Sequence, residues 1–121
     1  MSFVDPKFPG IAYGMGTITE AGDTGQFVMI SGHDEFALTD AAETKSFGIL
    51  YKPAASGEMC TVFTGGGIYE TDCYVGAISP KNLLKVDPTT KMLAAGVSGS
   101  EIAVAEAISL LGGVLRFKLL V

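Results

Sequence analysis

His33 is the only histidine in the chain, and it stands in Ser31-Gly32-His33-Asp34-Glu35, where a neighbouring carboxylate could orient it as a general base. No serine sits in a nucleophile-elbow pattern to receive it. The nearest approach, Val97-Ser98-Gly99-Ser100, does not match Gly-x-Ser-x-Gly. Metal binding by residues 33–35 is disfavoured, because three consecutive side chains on extended backbone point to alternating sides. A polar turn histidine accounts better for the residue. Gly14-Met15-Gly16 opens like a dinucleotide loop but lacks the third glycine, a preceding strand and a following helix. Thr64-Gly65-Gly66-Gly67 offers a backbone anion nest or, more simply, a tight turn, with no lysine closer in sequence than Lys52 or Lys81. Glu35, Glu58, Glu70, Glu101 and Glu106 are scattered, and the last two, an odd spacing apart, face opposite sides of a strand. They read as solubilising groups that discourage edge pairing.

Cys60 and Cys73 are the only cysteines, too few for a disulfide framework, and Cys60 lies in the apolar run Met59-Cys60-Thr61-Val62-Phe63, where a thiol behaves as a small hydrophobe. A bridge between the two is the other possibility. With no second cysteine pair and no nearby histidine, zinc is not expected, nor is any cofactor. Eight basic against 13 acidic residues give a net charge of −5, with Arg116 the one arginine, which disfavours phosphate and nucleic-acid binding. The most apolar segment, 102–121, is interrupted by Glu106, Gly112, Gly113, Arg116 and Lys118, so no run reaches the roughly eighteen residues of a membrane helix. The opening MSFVDPKF has neither the basic region nor the apolar block of a signal peptide. A soluble protein, not exported by that route, is expected.

The elements that must carry these residues read as strands. At 121 residues the chain fits one domain, and 48% hydrophobic against 17% charged residues is too apolar for disorder. Residues 1–25 hold Pro6, Pro9 and five glycines, which prevents a helix and weakens any strand, yet Phe3, Val4, Phe8, Ile11 and Tyr13 punctuate them. The expectation is an extended N-terminal arm over 1–25, lying on its own barrel or on a neighbouring subunit. Residues 26–121 form the main domain. Strands are expected over 26–31 and 36–39, with one capped helical turn over 40–45 between Asp40 and Glu43. An antiparallel pair over 47–51 and 59–64 follows, because the connection through Pro53 and Gly57 is too short for a parallel crossover. Residues 68–71 and 74–77 give further strands, and 83–86 with 92–95 give a hairpin across Asp87-Pro88-Thr89-Thr90. Strand 101–107 pairs with 114–121 across 108–113, with a helix over 100–111 as the competing reading. In the last strand Leu115, Phe117 and Leu119 share one face, and Arg116 and Lys118 the other. The fold class is therefore all-β: a small single-domain β-barrel or β-sandwich with an extended arm.

Over about 26–121 this order resembles the small capsid decoration, or cement, proteins of tailed bacteriophages. The likeness rests on Phe47-Gly48-Ile49-Leu50, Pro53-Ala54-Ala55-Ser56-Gly57-Glu58, Thr61-Val62 and Gly65-Gly66. It continues in Leu83-Leu84-Lys85-Val86-Asp87, Met92-Leu93, Ile102-Ala103-Val104-Ala105-Glu106-Ala107 and the closing Leu119-Leu120-Val121. Glu101 stands where the family often has glycine, and the proline-rich start has no close counterpart there. The resemblance implies a non-enzymatic virion protein, commonly a homotrimer, that binds the major capsid protein on the outside of the shell and clamps neighbouring subunits. Ser2, Phe3, Val4, Asp5, Pro6, Lys7 and Phe8 of the arm are the expected contact, so deletion of residues 2–9 is expected to weaken attachment more than folding. The alternative is a small β-barrel module for a carbohydrate or peptide, with Tyr13, Tyr51, Tyr69 and Tyr74 lining its pocket.

Overall fold

A computed structural model describes residues 2–121. Its strands are β1 (Val4–Ile18), β2 (Phe27–Gly32), β3 (Glu35–Leu38), β4 (Gly48–Leu50), β5 (Met59–Thr71), β6 (Tyr74–Val75), β7 (Leu83–Val86), β8 (Leu93–Ala95), β9 (Ala105–Leu111) and β10 (Val114–Leu119). The protein is all-β, and no helix occurs among the described residues. The strands form one mixed sheet in the order β1-β3-β2-β4-β5-β10-β9-β7-β8-β6, and a further β1–β5 pairing closes the first five into a ring.

β5 is the spine of this arrangement. One of its edges is lined by β1, from Val4 opposite Thr71 to Thr17 opposite Met59. Its other edge is divided, with β4 beside Val62 and Phe63 and β10 beside the stretch from Ile68 to Thr71. Strands near the ring are buried on both faces, so adjacent residues feed different cores. Phe27, Ile49 and Phe63 enter a large core with Tyr69, Leu84, Leu93, Leu115 and Phe117. Their neighbours Val28, Leu50 and Val62 enter a smaller one with Ile18, Phe36 and Cys60. Double burial explains the adjacent apolar pairs Phe27-Val28, Ile49-Leu50 and Val62-Phe63, whereas Ile30 and Met59 in the same apolar runs are exposed. β10 has one buried face, and its alternation of Leu115, Phe117 and Leu119 against Arg116 and Lys118 is the pattern expected.

Several expectations are corrected. The helical turn over 40–45 does not form: Asp40 accepts the Thr44 hydroxyl at 2.6 Å, and the Thr44 N–H donates to the Ala41 carbonyl at 3.1 Å in a simple turn. Residues 65–67 do not end a strand but lie inside β5. Neither the helix over 100–111 nor a six-residue connection over 108–113 is found. Gly112 and Gly113, at φ of 60° and 78°, make a two-residue turn whose twist suits a hairpin, so β9 runs on to Leu111. Residues 101–104 instead form an irregular segment before β9. Its Ile102 N–H donates to Ala42 and its Val104 N–H to Leu84.

Of the expected extended arm, residues 19–25 run through bends and turns and bridge Gly22 to Ala54, while residues 4–18 lie extended along β5 of the same chain. Despite its prolines and glycines, this segment forms the fifteen-residue β1 because shifts of register absorb the misfits, between Pro6 and Phe8, Pro9 and Ile11, and Tyr13 and Gly16. Val4 is buried in the large core. Removal of residues 2–9 is therefore expected to lower the thermal midpoint markedly in a circular-dichroism melt; an unchanged midpoint would show that this pairing contributes little.

Lys85 on β7 bonds Glu101 at 2.5 Å, fastening the segment before β9 to the sheet. The Lys85 ammonium, aided by the Ser98 N–H, holds the Glu101 carboxyl below its ordinary value of 4.5. A lowered folded-state pKa gives stability that is present above the ordinary value and is lost as pH falls through the lowered one. The melting temperature is expected to drop on acidification below about pH 5. Glu101→Gln should begin lower at neutral pH and lose less on acidification; an identical slope in the two proteins would refute the assignment.

Candidate interaction surface

Where β1 crosses β5, the backbones come too close for side chains. Pro9 lies opposite Gly67 and Ile11 opposite Thr64, leaving Gly10 to face Gly65 and Gly66. A Cβ on Gly10 would stand 2.5 Å from the Gly66 carbonyl oxygen, and one on Gly67 2.5 Å from that of Phe8. Gly67 also has a φ of 104°, a conformation that other residues rarely adopt. At and beyond this corner β1 carries three large apolar side chains in solvent: Phe8 (73% exposed), Ile11 (59%) and Met15 (67%). The outer edge of β1 meets β3 only at Thr17 and Ile18. Pro6 and Pro9 carry no N–H, and the bulges twist the backbone, so this edge is a poor template for adding a strand. What β1 offers a partner is side chains.

Of the seven arm residues expected to make contact, Ser2, Asp5, Lys7 and Phe8 are exposed, Phe3 and Pro6 are half-buried and Val4 is buried. Phe3 is tied down by its N–H, which donates to Asp72 at 3.0 Å, and by its carbonyl, which accepts from the Thr71 hydroxyl at 2.7 Å. Lys7 bonds Asp5 at 2.9 Å and reaches Glu70 at 3.6 Å, while Arg116 bonds Glu70 from the other side at 2.7 Å. Ile11 and Met15, equally exposed on β1, fall outside the stretch expected from sequence. Their spacing with Tyr13, every second residue from 11 to 15, was the available signal.

The residues with chemical potential are drawn apart. His33 is exposed in the β2–β3 turn. Asp34, at a φ of 47°, accepts the Tyr13 hydroxyl, and Glu35 accepts the Ser31 hydroxyl at 3.2 Å, so both carboxylates bond groups other than His33. Among the described residues no three His, Cys, Asp or Glu side chains gather as metal ligands would. The Gly66 N–H, which an anion nest would need, donates to the Val121 carbonyl. Cys60 and Cys73 are free thiols, and burial pushes both up from their ordinary pKa. Tyr69 is fully buried, Tyr13 packs edge-on against Phe36 and Phe47, and Tyr51 stacks at a tilt on Phe63. With Tyr69 inside the core, the four tyrosines do not line one pocket.

A concavity of about 1030 Å³ is lined by Phe3, Asp23, Gln26, Tyr51, Lys52 and Met92. The Gln26 amide is engaged at both ends, accepting from the Asp23 N–H and donating to the Thr90 carbonyl. A second hollow, of about 740 Å³, lies beside the glycine corner among Ile30, Phe47, Gly65 and Leu120, with Lys45 lining it as well. No family model matches the chain, and no curated protein matches it at significant similarity.

Gly67→Ala is expected to combine backbone strain with a clash and to destabilise the fold by about 3 kcal/mol. Gly57→Ala, at a similar φ of 85° with open space around it, is expected to cost about 1 kcal/mol. Equal losses in urea unfolding would show that close approach of the two backbones plays no part.

Proposed function

We propose that this protein is a non-enzymatic virion protein that binds the outer surface of an assembled tailed-phage capsid and clamps neighbouring major capsid protein subunits, as a homotrimer. The resemblance of the sequence over about 26–121 to capsid decoration proteins supports this reading. The observation that carries it is the set of three apolar side chains, Phe8, Ile11 and Met15, standing in solvent on a strand fastened to the core. Scattered single apolar residues are ordinary on a surface, whereas several on one rigid strand suit contact with another protein. Covering each of them would contribute roughly 1.5–3 kcal/mol, and three linked copies would turn a modest contact into avid attachment. The net charge of −5 suits a protein on the outside of the shell that should not compete for DNA.

Purified protein mixed with expanded, undecorated shells is expected to bind saturably, near one copy per capsid subunit. The double variant Phe8→Asp, Ile11→Asp should weaken that binding at least ~100-fold while the melting temperature moves by only a few degrees, since both side chains are exposed. Absence of wild-type binding, or full binding by the variant, would overturn the proposal.

A further inference from the structure

The geometry points to Tyr69 as a latch that holds segment 8–11 of β1 in place and so fixes the pose of Phe8 and Ile11. The ring is immobilised in the large core, with its centroid 4.9 Å from that of Phe63 and 5.8 Å from that of Phe117. Its hydroxyl emerges at the glycine corner, where it accepts the Gly10 N–H at 2.9 Å and donates to the Gly66 carbonyl at 3.1 Å. Both partners sit at the break in register, which disrupts the regular ladder between β1 and β5. The hydroxyl bridges the two strands where that ladder fails.

Such a bridge matters because the seat beneath segment 8–11 is bare. The segment rests on Gly65, Gly66 and Gly67, and Ile11 lies over Gly65, where an added Cβ would be 3.2 Å from its Cδ1. Glycines offer no side chains to interlock, so hydrogen bonds must set the pose. Burial raises the phenol above its ordinary pKa, so the hydroxyl keeps the proton that it donates across the neutral range. Tyr69 is a positioning residue, and its role for a partner rests on the function proposed above.

Tyr69→Phe keeps the ring and removes the latch. Amide hydrogen exchange followed by NMR should show Gly10 protected at least ~10-fold in the wild type, and exchanging ~10-fold faster in the variant while core amides of β5 and β10 change little. Dissociation from expanded shells should be ~10-fold faster for the variant. An unprotected Gly10 in the wild type, or an unchanged rate in the variant, overturns the latch. Equal dissociation of the two proteins overturns the positioning role. If neither protein binds shells, the function proposed above falls, and the exchange rates alone still decide the latch; they do so from the wild type even if the variant does not fold.

Discussion

The close approach of two backbones at Gly10 and Gly67 is the constraint on which the structure turns. β5 changes partners along one edge at this point, from β4 to β10, while β1 follows its opposite edge. One long strand can serve two differently aimed neighbours only if it bends, and three successive glycines at positive φ supply that bend. β1 has to follow, and it does so through register shifts and a glycine of its own. Both cores depend on the bend, since Val62 and Phe63 before it and Tyr69 after it occupy their interiors.

The same constraint explains why the apolar residues of β1 are divided between inside and outside. A regular strand alternates its faces, but each bulge resets the count. Val4 falls inside and Phe8 outside, although they are an even number of residues apart. The protein thus holds large side chains in water on a strand whose ends are secured, by Phe3 to Asp72 and Thr71 at one end and by Thr17 and Ile18 to β3 at the other. Rigid presentation lowers the entropy lost when a partner covers such residues.

Much of this was legible from the residues. The apolar runs gave β2, β4 and the first half of β5, and the alternation after Gly113 gave β10 with its faces correctly assigned. Asp87 gave the β7–β8 turn, where its carboxylate accepts from the backbone of Thr89 and Thr90. The glycine triplet was misread because a bend within a strand and a turn between two strands ask for the same residues locally; only the partner strands distinguish them. Asp40 looked like a helix cap, but the Thr44 hydroxyl claims its carboxylate. Of the residues expected to make contact, Phe8 is exposed and Val4 buried, and the two cannot be told apart from sequence because the direction of each side chain is set by bulges that depend on β5.

β1 also sets a delay in folding. Phe3 and Asp72 are 69 positions apart, so β1 is synthesised well before the far end of its long partner and must wait for it. Until then fifteen residues rich in apolar groups stay unpaired, and a topology dominated by such distant contacts folds slowly. The prolines that roughen the outer edge of β1 thus serve the nascent chain as well as the finished protein, since they deny other chains a template during the wait.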